Sequence, residues 1–425
     1  MNVLIIGSGG REHALAAKVK ESARVDRVFC IPGNAGTAEI AENAAVPLDP
    51  FDGLIAFARS HHVDLTIVGP EAPLCSGIVD AFQESGLCIF GPTAAAARIE
   101  GDKAYAKRLM KVASVPTAEA RIFDRFAAAK AYVDTRDCGL VVKASGLAAG
   151  KGVVVCKEPA EAMLALERIM VQREFGDAGD TVVVEEVLQG PELSLHALID
   201  DRTILLLDTA QDHKAAGDGD TGPNTGGMGA YSPAPIAGPD VLARIEREVL
   251  VPIVDALRND GAPFRGVLYA GLMLTPGGPK VLEFNCRFGD PETQVLLPRI
   301  ESDFVELVEA VIDGRLSDVE VRWGRKSAVC VVLASGGYPG KYESGKVITG
   351  LEAAATRKDV HVFHAGTSKV EHLTVTAGGR VLGVTAQGDD IAHARRRAYE
   401  AVADIHFEGM HYRRDIGKRA IHEQV

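Results

Sequence analysis

The sequence has no CxxC pair, no long apolar run and no excess of basic residues, and each absence removes a class of protein. Its seven cysteines (Cys30, Cys75, Cys88, Cys138, Cys156, Cys286 and Cys330) are scattered through 425 residues. That spacing suits neither a zinc site nor a disulfide framework and points to reduced, mostly buried thiols. No segment reaches the roughly 18 consecutive apolar residues that a membrane span needs, and the first apolar stretch lacks a basic leader. A cytoplasmic protein with no membrane partner is expected. The 46 Lys and Arg against 58 Asp and Glu leave a formal charge of −12, which excludes a general affinity for nucleic acid or anionic lipid. A bound phosphate therefore needs a local, built site.

What is present is 47% apolar residues over a length that suits about three domains. Short aliphatic runs in the first 92 residues, VLIIG, VDRVFCIPG, LTIVGP and LCIFGP, each stop at Gly or Pro and alternate with helical text such as FDGLIAFARSHH. That alternation predicts parallel strands in an open α/β unit, with the ligand edge at their carboxyl ends. Helical text follows from Thr93 to Val112, broken and recapped at Gly101-Asp102. Residues 116–188 read as a small α/β unit. Residues 189–325 read as strands, a polar glycine loop (HKAAGDGDTGPNTGGMGAYSP), a helix over 239–259, and the strands GVLYAGLMLT and KVLEFNCRF. A last unit from 326 holds the strand AVCVVLASGG, a hairpin LTVTAGGRVLGVTA turning on Gly378-Gly379, and a helix over 389–404.

MNVLIIGSGGREHALA reads as strand, glycine turn and helix, the layout of a dinucleotide site. The dinucleotide fingerprint needs GxGxxG and an acidic residue ending the second strand. Here Glu12 stands at the third glycine position and the second strand runs into Cys30-Ile31-Pro32-Gly33. Both diagnostic features are missing. Backbone N–H groups at a helix N-terminus, followed by Arg11, suit a lone phosphate instead. A tight turn with no ligand carries the same residues.

KASGLAAGKGVVV is not a P-loop, because three residues separate Gly146 from Gly150, Gly152 follows Lys151, and a strand comes next. It fits a hairpin lid whose glycine amides close on a polyphosphate while Lys143 supplies charge from the preceding strand. In VLEFNCRFGDPET, alternation puts Glu283, Asn285 and Arg287 on one face and Leu282, Phe284 and Cys286 on the other. A carboxylate and an amide oxygen at that spacing suit Mg²⁺, with Arg287 one step further for a carboxylate or transferring phosphoryl oxygen. In VVVEEVLQGPELS, the strand end Glu185-Glu186-Val187-Leu188 offers backbone groups to a purine edge, and Glu192 can accept from ribose hydroxyls. Taken singly, each of these also reads as a solvent-facing hairpin, strand or acidic edge. The histidines His61-His62, His213, His361 and His364 lack supporting ligands and read as surface or hydrogen-bonding groups. Arg395-Arg396-Arg397 and the HYRRDIGKR tail, interleaved with acids, read as a solvated face.

Together, a helix lysine in GDKAYAK, a strand lysine before a glycine hairpin, an EEVL linker and an ExNxR strand, in this order after an α/β unit, resemble the ATP-grasp ligases. GSGGREHALA, PGNAGT, VGPEAPL, QDHKAAGDGDTGPNTGGMGAYSPAP, EFNCRFGDPETQ, SGGYPG and GMHYRRDIGKRA narrow the resemblance to those that join glycine to 5-phosphoribosylamine, over nearly the whole chain. The resemblance implies an α/β protein: an N-terminal open parallel domain (1–100), an ATP-grasp domain (101–325) with a small mobile lid (about 116–188), and a C-terminal α+β domain (326–425). It implies ATP with Mg²⁺ or Mn²⁺, glycine and 5-phosphoribosylamine as small-molecule substrates, and a monomer.

The same resemblance assigns roles. Arg287, Lys143, Asp212 and Asp290 fall at the catalytic centre, the two aspartates on the glycine ammonium. Lys103, Lys143, Gly150 and Gly152 fall on the triphosphate, Glu185, Val187 and Leu188 on adenine, Glu192 on ribose, and Glu283 and Asn285 on the metal. Gly9, Gly10, Arg11 and Asn34 fall on phosphoribosylamine, with Glu71 on its ribose hydroxyls. Many ATP-grasp enzymes add an acidic ligand on the strand before ExNxR, and GVLYAGLMLT has none. Other ATP-grasp ligases and biotin-dependent carboxylase subunits share Lys103, Lys143 and the ExNxR strand, and a non-catalytic ATP-sensing module would keep the binding groups alone.

Overall fold

The computed structural model describes residues 1–148 and 150–422. Position 149, inside the expected glycine lid, and residues 423–425 lie outside the described residues. The first aliphatic run forms β1 (Asn2–Gly7), with Val3, Leu4, Ile5 and Ile6 fully buried. Burial on both faces is what a central parallel strand requires. Strands β2 (Arg27–Pro32), β3 (Glu42–Asn43), β4 (Leu65–Val68) and β5 (Ile89–Phe90) join it in the order β3-β2-β1-β4-β5, all parallel. Strand order reverses between β1 and β4, so a crevice opens at their carboxyl ends. Gly9, which caps the helix Gly10–Lys20, and Glu71, which opens the helix Glu71–Cys75, lie at that edge.

The next helical stretch divides at its Gly101-Asp102 break into Ala94–Gly101 and Lys103–Val112. Asp102 caps the second helix by accepting from Tyr105 N at 3.0 Å, and it also accepts from Ser145 Oγ at 2.7 Å. This fixes Lys103 in the first turn, where its ammonium donates to Gly146 O at 3.1 Å. Strands β6 (Ala120–Phe123), β7 (Leu140–Ala144), β8 (Val153–Cys156) and β9 (Val182–Glu186) form an antiparallel lid sheet ordered β6-β9-β7-β8. It has its own small core, including Val133, Val142, Leu166 and Val182.

Strands β10 (Glu192–Asp200) and β11 (Ile204–Leu206) follow. After the short strand β12 (Gln211–Asp212), the stretch expected as a polar loop forms three short strands, β13 (Ala215–Gly217), β14 (Thr221–Asn224) and β15 (Gly229–Ser232). Met228 and Tyr231 are fully buried there and act in packing. The expected helix over 239–259 starts behind Gly238 with Pro239 in its first turn, and a widened turn at Glu246–Leu250 precedes Pro252, whose ring cannot supply an N–H. Strands β16 (Arg265–Thr275) and β17 (Gly278–Asn285) complete an antiparallel sheet ordered β11-β10-β16-β17.

Strands β18 (Ser327–Ala334), β19 (Val360–His364), β20 (Thr367–Val370), β21 (Leu373–Thr376) and β22 (Arg380–Gly388) make up the last unit, closed by the helix Ile391–Val402. Its main sheet, β12-β15-β18-β22-β19, recruits two strands from the central segment, so the sheet crosses the expected division at 325. The expected hairpin on Gly378-Gly379 does not form. β21 pairs with β20, while β22 pairs with β18 and β19. Gly378 instead allows close backbone approach, since a Cβ on it would stand 2.9 Å from the Cα of Gly366. Nor is the whole HYRRDIGKR tail solvated. Arg413 is fully buried and pairs with Asp220 at 2.9 Å and Asp415 at 2.8 Å, binding the tail to the β13–β14 hairpin. All seven cysteines are free, and four of them (Cys30, Cys156, Cys286 and Cys330) are buried. Among the described residues no helix is long and apolar enough to cross a membrane.

Candidate active site

A cavity of about 420 Å³ is lined by residues of both the lid sheet and the sheet β11-β10-β16-β17. Lys103, Lys143, Gly150, Gly152, Glu185, Val187, Leu188, Glu192, Glu71, Asp212, Asp290, Glu283, Asn285 and Arg287 border it, whereas Gly9, Gly10, Arg11 and Asn34 stand outside it. Its floor is β17, paired antiparallel with β16 so that Gly271 faces Glu283 and Tyr269 faces Asn285. A bulge at Leu282 interrupts the alternation. Val281 takes the core position, and Leu282, expected with Phe284 and Cys286 on the apolar face, is half-buried and borders the cavity. The freed Leu282 carbonyl accepts from Lys143 Nζ at 3.0 Å.

Arg287 lies just past the strand and is fixed from three directions. It pairs with Glu100 at 2.7 Å and Glu71 at 3.2 Å and donates to Asn285 Oδ1 at 3.2 Å. Burial disfavours its charge, but Glu100 and Glu71 more than offset that and hold the guanidinium protonated. Burial also pushes the Glu283 carboxyl up, yet the ammonium groups of Lys214, Lys143 and Lys103, with Arg287, bring it down to about 2. Glu283 is thus a carboxylate at any working pH, with Lys214 at 3.6 Å. Lys214 also stands 3.5 Å from Glu192.

At the lid side, Glu185 is buried between Lys143 at 2.9 Å and Lys107 at 3.1 Å. Its carboxylate is therefore committed to lysines, while Glu185, Glu186, Val187 and Leu188 all line the cavity, the last two just beyond the end of β9. Gly150 has φ +74, and a Cβ on Gly152 would stand 2.6 Å from that of Ala148, so both positions need glycine. At the opposite side, burial and then Glu292 push the Asp212 carboxyl well above the usual range. An acid in that state gains most from a bound cation. Asp290 accepts from Gln294 Nε2 at 2.8 Å and faces Arg380 at 3.3 Å.

Two expected phosphate contacts have structural work instead. Arg11 is buried, pairing with Glu12 at 2.6 Å and donating to Phe288 O at 3.1 Å. The Asn34 amide donates to Ser8 O and His364 O and accepts from the N–H groups of Gly36 and Thr37. Gly9 and Gly10 do approach the centre, since a Cβ on Gly9 would lie 3.4 Å from Asp290 Oδ2 and one on Gly10 2.6 Å from Gln294 Nε2. Arg11→Met is expected to cost about 3 kcal/mol of stability, because it strands a buried carboxylate; the urea unfolding midpoint reads it, and an unchanged midpoint contradicts the pairing.

The sequence reading missed Glu100, Lys107, Lys214, Arg380 and the acid Glu292, which accepts from Ser194 Oγ at 2.9 Å and Tyr269 OH at 2.7 Å. Only Lys107 had a local signal, standing four residues after Lys103 on the same helix face. A lysine-lined cleft between two antiparallel sheets, with an acid, an amide and a guanidinium converging from one strand end, is the arrangement of an ATP-grasp enzyme. Comparison with known proteins makes this specific. Residues 1–100, 101–293 and 328–419 match, in turn, the N domain, the ATP-grasp (A) domain and the C domain of phosphoribosylglycinamide synthetase, and the chain belongs to that family.

Among relatives, the phosphoribosylamine–glycine ligase of Rhodopirellula baltica is 53% identical, over 99% of this chain and 98% of its own length. That of Nostoc sp. is 51% identical, over 99% of each. The crystal structure of phosphoribosylamine–glycine ligase from Thermotoga maritima superposes with a TM-score of 0.84 at 34% identity, covering 98% of this chain and 100% of that one. Biotin carboxylase from Campylobacter jejuni, solved as a β-γ-ATP complex, gives a TM-score of 0.73 at 15% identity, over 97% of this chain and 92% of that one, a likeness of fold alone.

Proposed function

We infer that the chain is an ATP-dependent ligase that joins glycine to 5-phosphoribosylamine, giving glycinamide ribonucleotide, ADP and phosphate. The observation that carries this reading is the meeting of Glu283, Asn285 and Arg287 with Lys103 and Lys143 in one cavity, beside Asp212 and Asp290. A carboxylate is inert to an amine near neutral pH, so it must first be activated. An oxygen of the glycine carboxylate bonds to the γ-phosphorus of ATP, and ADP leaves with the electron pair. Lys103, Lys143 and Arg287 offset the repulsion between those two anions and the charge that passes to ADP. The amine of phosphoribosylamine then attacks the carbonyl carbon of glycyl phosphate, loses a proton and expels phosphate. Gly150 and Gly152 belong to a lid that excludes water from this intermediate.

Glu283 and Asn285 supply one carboxylate and one amide oxygen, a hard donor pair that fits Mg²⁺ or Mn²⁺. These two residues would hold such an ion, which would add charge neutralisation at the transferring phosphoryl group. Backbone groups of Glu185, Val187 and Leu188 serve adenine and Glu192 its ribose. Phosphoribosylamine binds at the carboxyl edge of the parallel sheet, its phosphate on the Gly9-Gly10 backbone and its ribose near Glu71, with Arg11 and Asn34 shaping that edge from behind. The division at 100, a monomeric state and a cytoplasmic location belong to the same proposal.

Gly227, with φ +111, leaves no room for a methyl group, as its Cβ would stand 2.5 Å from Pro291 Cδ and 2.7 Å from Asp212 Oδ1. Gly227→Ala is expected to lower kcat/KM for glycine by about 10²-fold through misplacement of Asp212, with glycine saturation curves as the readout; an unchanged curve contradicts the assignment of Asp212. The whole reading is tested by ADP release with phosphoribosylamine plus glycine against bicarbonate alone. Release with bicarbonate and none with glycine would transfer the assignment to carboxylation, and ATP binding without turnover in either would leave a sensor.

A further inference from the structure

Gly226, on the cavity wall, is held on both sides by the C-terminal unit. Its N–H donates to the Tyr338 hydroxyl at 3.1 Å and its carbonyl accepts from Arg380 Nη1 at 2.5 Å. The same nitrogen donates to the Asp290 carbonyl at 2.7 Å, while Arg380 Nη2 stands 3.3 Å from the Asp290 carboxylate. One guanidinium therefore bridges two turns far apart in the chain, the Thr225-Gly226-Gly227 turn before β15 and the Asp290 turn after β17. Gly226 and Asp290 border the cavity; Arg380 and Tyr338 lie behind them.

The surroundings are shaped for this contact. Arg380 opens β22 directly behind Gly379, and a side chain on Gly379 would collide with the Tyr338 ring. The SGGYPG motif that carries Tyr338 has no part in the chemistry described above. Burial pushes the Asp290 carboxyl up, and Arg380 is the strongest of the groups that reverse this and hold it ionised.

We propose that Arg380 and Tyr338 are positioning residues for the amino-acid substrate, through which the C-terminal unit fixes the Gly226 turn and Asp290 in the geometry that receives the glycine ammonium. This rests on the reading of Asp212 and Asp290 as the ammonium partners. A contact that only glued two units together would affect folding and every substrate alike. A positioning contact singles out glycine.

The test uses the full-length enzyme with Arg380→Ala, Arg380→Lys, Tyr338→Phe and Asp290→Asn. Arg380→Ala is expected to lower kcat/KM for glycine about 10²-fold and Tyr338→Phe about 10-fold, with the equilibrium Kd for ATP unchanged. Added guanidinium ion is expected to restore part of the activity of Arg380→Ala, and Arg380→Lys to fall between it and the parent. Parallel losses in ATP affinity and glycine kcat/KM would overturn the proposal. So would unchanged glycine kinetics in Tyr338→Phe and Arg380→Lys, the variants least able to disturb folding. Asp290→Asn separates the two layers. If it weakens glycine use while the Arg380 and Tyr338 variants do not, the positioning role falls; if it has no effect while they do, the role of Asp290 falls and the hold on the Gly226 turn stands.

Discussion

Arg287→Ala is expected to lower kcat by about 10²- to 10³-fold, read from glycine-dependent phosphate release at saturating substrates. The guanidinium is enclosed by Glu71, Glu100 and Asn285, so a truncated side chain leaves a charge gap that water can fill only poorly. The same enclosure means that alanine strands two carboxylates. Glu100, already pushed up by burial, takes up a proton in that variant, and stability falls by up to about 3–5 kcal/mol. Activity and fold are separated by Arg287→Lys, which keeps the charge but not the planar fork that reaches two acids and an amide at once. It is expected to recover most of the unfolding midpoint and little of the turnover. Parent-level kcat in the lysine variant contradicts the positional role of the guanidinium.

Lys143→Ala is expected to cost about 10² in kcat with a smaller effect on stability. Lys143 links Glu185 in the lid to the Leu282 carbonyl of β17, at 2.9 and 3.0 Å. Without it Glu185 keeps Lys107 at 3.1 Å, so no buried acid is abandoned. What is lost is a tie between lid and floor and, in the proposed reaction, a fixed cation for the transferring phosphoryl group. Single-turnover rates with preformed enzyme–ATP complex isolate the chemical step; a full rate there contradicts the assignment.

The parts that could be read in the sequence are those set by near neighbours. The strand VLIIG, the Asp102 cap with Lys103 in the turn behind it, the helix over 239–259 and the strand carrying Glu283 and Asn285 all follow from local pattern and capping chemistry. The errors share one physical origin. Leu282 faces the cavity because a bulge shifts the period by one residue. β21 finds β20, and not β22, because pairing is decided by which edge is open in space. Arg11 is spent on Glu12 and the Phe288 carbonyl, 277 residues away. Glu71 and Glu100 meet Arg287 across 216 and 187 residues, and no periodicity reports such a meeting.

Diffraction from crystals grown with a non-hydrolysable ATP analogue and Mn²⁺, with an anomalous difference map, tests the central claim most directly. The manganese peak is expected within bonding distance of the Glu283 carboxylate and the Asn285 amide oxygen, with the γ-phosphate facing Arg287. A peak elsewhere, or a triphosphate lying outside this cavity, would contradict the account.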